Sequence, residues 1–116
     1  MAKVLVVDDE QSLLLLLQQI VEEQGHEALV ADNGQQALRI LERESLHLVI
    51  SDVMMPIVDG YQLLRQIKAR PEWSRVKVVL ISAAPINRKS QPPADAYLSK
   101  PYDLSTIEDL LDDMLR

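Results

Sequence analysis

Apolar runs and amphipathic stretches alternate along the whole chain. The clearest runs are rich in β-branched residues and contain almost no polar residue, a pattern typical of strands that are buried on both faces of a parallel sheet. This pattern predicts five strands, the fifth of them weak, at 3–7, 27–31, 47–51, 76–81 and 96–98. Between and after them, apolar residues recur every three or four positions, which predicts helices at about 11–24, 34–45, 61–69 and 104–114.

Local signals mark where the predicted helices begin and end. Gly25 is expected at the left-handed position that closes the first helix, and Pro71 ends the third. Asp103 is expected to cap the last helix. On that helix the apolar side chains form one stripe towards the core: Leu104, Ile107, Leu110, Leu111 and Met114.

Strands that alternate with helices predict a parallel, doubly wound α/β sheet with helices on both faces. With five strands in 116 residues, the flavodoxin-like strand order 2-1-3-4-5 is the natural candidate, and residues 1–116 are expected to form a single domain. In this order, strands 1 and 3 lie side by side where the order reverses. Ligands of such sheets bind at the carboxyl ends of the strands, so the residues that follow each strand are the candidates for chemistry.

Polar residues follow four of the predicted strands. They are Asp8 and Asp9 after strand 1, Asp52 after strand 3, Ser82 after strand 4 and Lys100 after strand 5. Each alone has an ordinary structural explanation, such as an acid that favours a helix N-terminus. Three carboxylates at one sheet edge, however, repel one another and need a cation, and Mg²⁺ prefers oxygen ligands of this kind. A carboxylate can also act as a nucleophile towards phosphorus, with a lysine beside the transferred oxygens.

Composition narrows the classes of function. A net charge of −6 argues against nucleic acid as a partner, because such binding depends on Lys and Arg that neutralise phosphates. No apolar run in the sequence is long enough to span a membrane. The absence of cysteine excludes a thiolate metal site and a disulfide framework, and it favours a cytoplasmic location.

Four motifs stand in a fixed order around the polar residues: Val6-Val7-Asp8-Asp9-Glu10, Ser51-Asp52-Val53-Met54-Met55-Pro56 with Asp59-Gly60, Ser82-Ala83, and Tyr97-Leu98-Ser99-Lys100-Pro101. In this order and spacing the whole chain resembles the receiver domain of two-component response regulators, of the single-domain kind found in chemotaxis regulators. The resemblance implies a switch that accepts a phosphoryl group from a phosphohistidine on a sensor histidine kinase or phosphotransfer protein. A separate partner protein would read the result. Such a domain catalyses only its own phosphorylation and dephosphorylation, so we do not expect an enzyme.

The resemblance also implies which residues hold the metal and accept the phosphoryl group. Asp52 corresponds to the phosphoacceptor. Asp8 and Asp9 correspond to the acidic pair that holds Mg²⁺ together with Asp52, and Asp9 is the expected direct ligand of the pair. Met54 would add its backbone carbonyl, so its side chain could vary without loss of the metal.

The resemblance further implies which residues contact the phosphoryl oxygens and which residue moves when the domain switches. The Ser82 hydroxyl and the Lys100 ammonium group would each contact a phosphoryl oxygen. Tyr97 corresponds to the aromatic residue that swings inward when the hydroxyl residue moves towards the phosphate; a tyrosine that only packs in an edge strand is the alternative. The Lys100–Pro101 peptide bond is expected to be cis, a state that X-Pro bonds adopt far more readily than others.

The segment between predicted strands 4 and 5 departs from the family pattern. Receiver domains usually place a full helix there, whereas Pro85 and Pro92 leave only residues 86–91 between them. Residues before proline are also pushed out of the helical region. We therefore expect this helix, the fourth of the family, to be shortened to a stub or replaced by an extended loop. The dimer of transcriptional members is not predicted either, because the last helix carries four acids and one terminal arginine.

The first predicted helix contains five consecutive leucines, 13–17, which point in all directions around a helix. Those expected to face the sheet, together with Ile20, are Leu13, Leu16 and Leu17. Leu14 and Leu15 would remain outside, either as singly exposed leucines, which are common, or as a patch for a partner protein.

Two other functions remain open. One is a pseudo-receiver, a constitutive docking module that has lost switching through its altered fourth helix, although the complete acidic site argues against it. The other is a hydrolase with an aspartate nucleophile, similar to haloacid-dehalogenase-like phosphatases. Those enzymes carry an Asp-x-Asp pattern after strand 1, where this chain has Asp8-Asp9-Glu10.

Overall fold

The computed structural model describes residues 1–87, 89 and 92–116. Its strands are β1 (Lys3–Val7), β2 (Glu27–Ala31), β3 (Leu48–Asp52), β4 (Lys77–Ser82) and β5 (Ala96–Ser99). The α-helices within the described ranges are α1 (Gln11–Glu23), α2 (Gly34–Arg43), α3 (Gly60–Ala69) and α4 (Leu104–Met114). A short 3-10 turn, Pro71–Trp73, leads from α3 towards β4. Apart from shifts of one or two residues at their ends, these are the predicted elements.

The strands are parallel and hydrogen-bond in the order β2-β1-β3-β4-β5, which confirms the predicted flavodoxin-like order. β1 and β3 are neighbours at the point where the order reverses. Ser51 pairs with Val7, and Asp52 pairs with Ile81, so the ends of the three central strands lie level with one another. The carboxyl ends of β1, β3, β4 and β5 therefore form one edge of the sheet.

Two apolar layers cover the sheet, one on each face. Leu5 and Val49 belong to the layer under α2 and α3, whereas Val4 and Ile50 belong to the layer under α1 and α4. All four side chains are fully buried. Burial on both faces explains why these strands appear in the sequence as unbroken apolar runs.

The leucine run of α1 is buried in a different phase from the predicted one. Leu14, Leu17 and Val21 are between 0% and 3% exposed and pack against the sheet. The leucines that stay half-buried or exposed are Leu13, Leu15 and Leu16. The prediction that Leu13 and Leu16 face the core was therefore wrong, and so was the placement of Leu14 outside. Five identical residues carry no information about helix phase, whereas the buried Ile20 and Val21 mark the face that lies against the sheet.

The last helix begins at its predicted cap but buries fewer side chains than expected. The Asp103 carboxylate accepts a hydrogen bond from the Thr106 N–H at 3.1 Å. Ile107 and Leu111 are fully buried, whereas Leu104 is 53% exposed, so its assignment to the core stripe was wrong. Leu104 is the first residue of α4 and lies at the carboxyl edge, where the strands that would cover it have ended.

Among the described residues between β4 and β5, none is helical. The predicted loss of a helix is confirmed for these residues, while residues 88, 90 and 91 of the segment lie outside the described part of the chain. Tyrosine hydroxyls bind two backbone N–H groups of the segment. Asn87 donates to Tyr61 of α3 at 2.7 Å, and Ala94 donates to Tyr97 of β5 at 3.0 Å.

Candidate functional site

The carboxyl edge of the sheet brings the predicted site residues together. Asp8 and Asp9 follow β1, Asp52 is the last residue of β3, and Ser82 is the last residue of β4. Lys100 follows β5 directly. These residues are distant in the sequence, and the parallel pairing of the strands places them at one edge, where ligands of such sheets bind.

Asp8, Asp9 and Asp52 form an acidic cluster in which one carboxylate oxygen of each residue lies within 4.8 Å of the others. Asp8 and Asp52 are 2% and 7% exposed, whereas Asp9 is open to solvent. The backbone N–H of Glu10 donates to Oδ1 of Asp8 at 2.9 Å, which fixes that carboxylate. Crowded carboxylate oxygens with access to water fit a hard divalent cation such as Mg²⁺, which binds through few carboxylates and retains waters.

Lys100 brings positive charge to this acidic cluster. Its Nζ lies 3.5 Å from Oδ2 of Asp8 and 3.5 Å from Oδ1 of Asp52. At this length the contacts are ion pairs rather than short hydrogen bonds. One ammonium group thus faces two buried carboxylates. The acidic cluster together with Lys100, the acidic centre, keeps a negative charge that a divalent cation would offset.

The pKa of the Asp52 carboxyl is raised above its ordinary value. Burial is the largest cause, and the charge of Asp8 adds to it, while Lys100 and the N–H of Val53 act in the opposite direction. A protonated carboxyl is a poor nucleophile. Positive charge close to Asp52 favours its carboxylate form, which is the nucleophilic one.

Ser82 offers a hydroxyl at the end of β4, next to β3. Its side chain is 1% exposed, and its Oγ accepts a hydrogen bond from the backbone N–H of Ala84 at 3.1 Å. Accepting this bond uses an oxygen lone pair and leaves the hydroxyl hydrogen to donate. Ser82 is therefore a candidate donor to an oxygen atom bound near Asp52.

The residues around β5 include the predicted switch tyrosine. Tyr97 is half-buried, and its ring packs against the apolar layer under α2 and α3. Its hydroxyl accepts a hydrogen bond from the backbone N–H of Ala94, so it is tied to the segment between β4 and β5. The Lys100–Pro101 peptide bond is cis.

The loop from β3 to α3 is built closely against Asp52. Asp59 and Gln62 form a reciprocal capping box that starts α3. The Gly60 N–H donates to the carbonyl of Val53 at 2.9 Å. A Cβ atom on Gly60 would lie only 2.6 Å from the backbone oxygen of Asp52. A glycine is therefore needed for α3 to begin this close to the end of β3.

Two exposed apolar residues lie in the same loop. The side chain of Met54 is 63% exposed, so a contribution of its backbone carbonyl to a metal would not depend on the side chain. Ile57 has a φ of 71° and is 71% exposed. A β-branched residue in the left-handed region is strained. The sequence gives no signal for it, because this conformation normally belongs to glycine or asparagine.

The sequence analysis missed Tyr102, which lies two residues after Lys100. Its hydroxyl is buried and has no hydrogen-bond partner among the residues that the structure describes. Burial raises the pKa of the phenol, and the charges of Asp8 and Asp52 raise it further. The hydroxyl therefore lies within the electric field of the acidic cluster. In the sequence, the signal that pointed to this residue was its position two residues after Lys100.

Comparisons with known proteins find one family whose domain covers nearly the whole chain. The family model described as response regulator receiver domain matches residues 4–112. Protein PilH of Pseudomonas aeruginosa is 30% identical over 112 residues, which cover 92% of this chain and 92% of PilH. "Probable transcriptional regulator ycf29" of Pyropia yezoensis is 29% identical over 117 residues, which cover 97% of this chain and 53% of that protein. The chain thus spans about half the length of this curated relative.

A solved structure is similar over nearly its full length. The response regulator protein TrrA of Thermotoga maritima, in complex with Mg²⁺-BeF, superposes with a TM-score of 0.88 at 29% identity, covering 98% of this chain and 99% of that one. Within the described residues, no helix combines the length and the apolar character that crossing a membrane requires.

Proposed function

Because this chain belongs to the response regulator receiver domain family, we propose that it is a phosphoacceptor switch of a two-component phosphorelay. The donor is the phosphohistidine of a sensor histidine kinase or phosphotransfer protein, and the acceptor is Asp52. A separate partner protein reads the phosphorylated form. One observation carries the proposal: Asp52 is a buried carboxylate at the tip of a central strand, beside a second acid and a lysine.

In the proposed step, a carboxylate oxygen of Asp52 forms a bond to phosphorus while the bond between phosphorus and the donor imidazole breaks. The electron pair of the broken bond leaves with the imidazole nitrogen. Asp8, Asp9, Asp52 and the backbone carbonyl of Met54 would hold Mg²⁺, which supplies positive charge against the transferred group. The same charge would favour the ionised form of Asp52.

Lys100 and Ser82 act on the phosphoryl group once it is on Asp52. Lys100 already lies 3.5 Å from the Asp52 carboxylate and can contact one phosphoryl oxygen. Ser82 donates its hydroxyl to another. A shift of Ser82 towards the phosphate leaves room for Tyr97 to move inward, and Tyr97 is bonded to Ala94 in the segment before β5. The two forms then differ in surface, and a partner can favour one of them.

The chain would act catalytically only on itself. A water molecule that hydrolyses the aspartyl phosphate returns Asp52 to the carboxylate and ends the signal. No second substrate is converted, so under this proposal the protein is a switch rather than an enzyme. Turnover of unrelated phosphoesters would instead support the hydrolase alternative.

Intact-mass spectrometry tests the proposal. Wild-type protein incubated with Mg²⁺ and acetyl phosphate should gain the mass of one phosphoryl group, and Asp52→Asn should gain none, because an amide oxygen does not accept the group. Asp32→Asn is the matched control, since Asp32 is an exposed acid that follows β2 at the same sheet edge. It should be modified like the wild type. An unmodified wild type, or an Asp52→Asn variant that is modified equally, would contradict the proposal.

The segment between β4 and β5 favours one second candidate, a pseudo-receiver that docks its partner constitutively. A domain without a helix in this place could keep the acidic centre and still transmit no change. Beryllofluoride with Mg²⁺ separates the two functions. Amide NMR shifts at Tyr97 and Ala94 as well as at Asp52 indicate a switch, whereas shifts confined to the acidic centre indicate the pseudo-receiver.

A further inference from the structure

Tyr102 carries a polar group that the proposed function leaves unused. Its hydroxyl is buried and has no hydrogen-bond partner within the described part of the chain. A buried hydroxyl without a partner costs free energy, because it has lost its bonds to water. Such groups are rare in native proteins, and each calls for an explanation such as a bound water, an ion or a functional role.

The position of the ring is set by the elements on both sides of it. Pro101 precedes Tyr102, and Asp103, whose side chain caps α4, follows it. The ring packs against the apolar layer under α1 and α4. It also lines a groove of about 340 Å³ together with Leu13, Leu16, Ala83, Lys100 and Pro101. The ring is therefore held between α1 and the loop that links β5 to α4.

The Tyr102 ring shares its groove with Lys100, the residue that faces the acidic centre. After burial, which is the largest cause, the charges of Asp8 and Asp52 raise the pKa of the phenol. A phenol keeps its hydrogen at neutral pH even at its ordinary pKa, so the hydroxyl can donate it. Lys100 faces the same two carboxylates. Tyr102 thus places a hydrogen-bond donor near the acidic centre. Among the described residues, this donor has no acceptor.

We propose that the Tyr102 hydroxyl donates a hydrogen bond to an oxygen atom that the acidic centre carries when it is loaded. Tyr102 is then a binding residue of this centre. The oxygen belongs either to a water bound to the cation or to the phosphoryl group on Asp52, and both kinds of oxygen accept hydrogen bonds. If the oxygen belongs to the phosphoryl group, the inference rests on the proposed function. If it belongs to a water on the cation, the inference requires only that the cation binds.

Tyr102→Phe tests the inference, because it removes the hydroxyl and keeps the ring. Calorimetry gives the Mg²⁺ affinity of wild type and variant, and NMR shifts give the affinity for beryllofluoride at saturating Mg²⁺. We expect a loss of about threefold to tenfold in at least one of the two affinities, which is the usual effect of one hydrogen bond. A loss with Mg²⁺ alone assigns the acceptor to a water on the cation. A loss only with beryllofluoride assigns it to a phosphoryl oxygen.

Leu16→Ala is the matched control. It trims the same groove at a side chain that is 46% exposed and leaves the hydroxyl in place, so both affinities should stay within about twofold of wild type. Two results overturn the inference. In one, Tyr102→Phe binds Mg²⁺ and beryllofluoride as wild type does. In the other, Leu16→Ala loses as much affinity as Tyr102→Phe, which makes groove packing the cause.

A spectroscopic readout follows the hydroxyl itself. In protein labelled with ¹³C at the tyrosine ζ carbon, the Tyr102 signal should shift on loading, while Tyr61, which bonds Asn87, should shift less. Failure of the inference and failure of the proposed function are distinguishable. If acetyl phosphate leaves Asp52 unmodified, the Mg²⁺ titration still tests Tyr102. If Asp52 is phosphorylated and Tyr102→Phe matches wild type throughout, the function stands and the inference falls.

Discussion

The carboxyl edge of the sheet and the segment between β4 and β5 are neighbours that are built in opposite ways. At the edge, Asp8, Asp52 and Ser82 are 1% to 7% exposed and stand at the ends of strands that pair on both sides. In the segment, the described residues form no helix, and tyrosine hydroxyls bind two of its backbone N–H groups.

This difference indicates which part of the fold the proposed chemistry uses. The proposed metal ligands and phosphoryl contacts all lie at strand ends or in the loops that follow them. None lies between residues 83 and 95. The site can therefore be complete although the described residues of the segment form no helix. Under the proposed function, the surface that a partner reads depends instead on β5, which pairs on one side only among the described strands.

The largest effect at the edge is expected from Asp8→Asn. The asparagine oxygen can still accept the Glu10 N–H, so the change removes a charge and keeps the local bond. Mg²⁺ affinity should fall by at least about tenfold, because the loss of a residue that only orients a metal ligand already lowers metal affinity by about that factor. Phosphorylation of Asp52 should fall with it. Calorimetry and intact mass measure both, and an Asp8→Asn variant with wild-type Mg²⁺ affinity would remove Asp8 from the site.

Gly60→Ala should disturb the backbone that carries Asp52. The new Cβ would stand 2.6 Å from the Asp52 backbone oxygen, and relief of such crowding costs about 1 to 3 kcal/mol of unfolding free energy. Urea denaturation measures this cost, and the rate of phosphorylation by acetyl phosphate should drop as well.

Gly25→Ala is the control for the Gly60 variant. Gly25 has a φ of 88° and open space around it, so the cost there is backbone strain alone, about 1 to 2 kcal/mol. It lies at the far end of α1 and should leave phosphorylation unchanged. Equal changes of phosphorylation in both variants would show that the close contact at Gly60 does not position Asp52.

A pH-dependent effect is expected from the burial of Asp52. Its pKa is higher in the folded than in the unfolded protein, where the ordinary value is 3.8. The folded state therefore holds this proton more tightly, and stability is lost as pH rises from 3.8 through the raised value. Asp52→Asn removes that loss. Without metal, the unfolding free energy of the variant should therefore rise relative to that of wild type across this pH range, and the difference should then stay constant. An advantage that does not change with pH in urea denaturation would contradict the prediction.

The smallest effect is expected in the segment between β4 and β5. Tyr61→Phe removes the acceptor of the Asn87 N–H, a bond of 2.7 Å at the surface, at a cost of at most about 1 kcal/mol. Hydrogen exchange at the Asn87 amide should become faster while phosphorylation of Asp52 stays as in wild type. Impaired phosphorylation would contradict this prediction, because it would show that a change in the segment affects the site at the carboxyl edge.

The strand order and the members of the acidic cluster could be predicted because their signals are local. Val4 to Val7 is an unbroken apolar run that ends at Asp8, and Leu48 to Ile50 runs towards Asp52 in the same way. Burial on both faces produces such runs. Parallel pairing then brings their ends to one edge. The absence of a helix among the described residues of the segment also had a local signal, since Pro85 and Pro92 limit it on both sides.

Other features depend on contacts between distant parts of the chain and had no local signal. The phase of α1 depends on how the whole helix packs on the sheet, and five identical leucines give no sign of it. The left-handed φ of Ile57 opposes its own conformational preference. Tyr61 meets Asn87 only because the chain folds back between them. That the Tyr102 hydroxyl has no partner among the described residues becomes visible only once the side chains around it are placed.

The site of the phosphoryl group gives the most direct test of the function. After incubation with acetyl phosphate and Mg²⁺, borohydride reduces an aspartyl phosphate to homoserine, and peptide mass spectrometry locates that residue in the sequence. We predict homoserine at Asp52 and at no other position. Homoserine at Asp8 or Asp9, or none at all in a protein that binds Mg²⁺, would contradict the assignment of Asp52 as the phosphoacceptor.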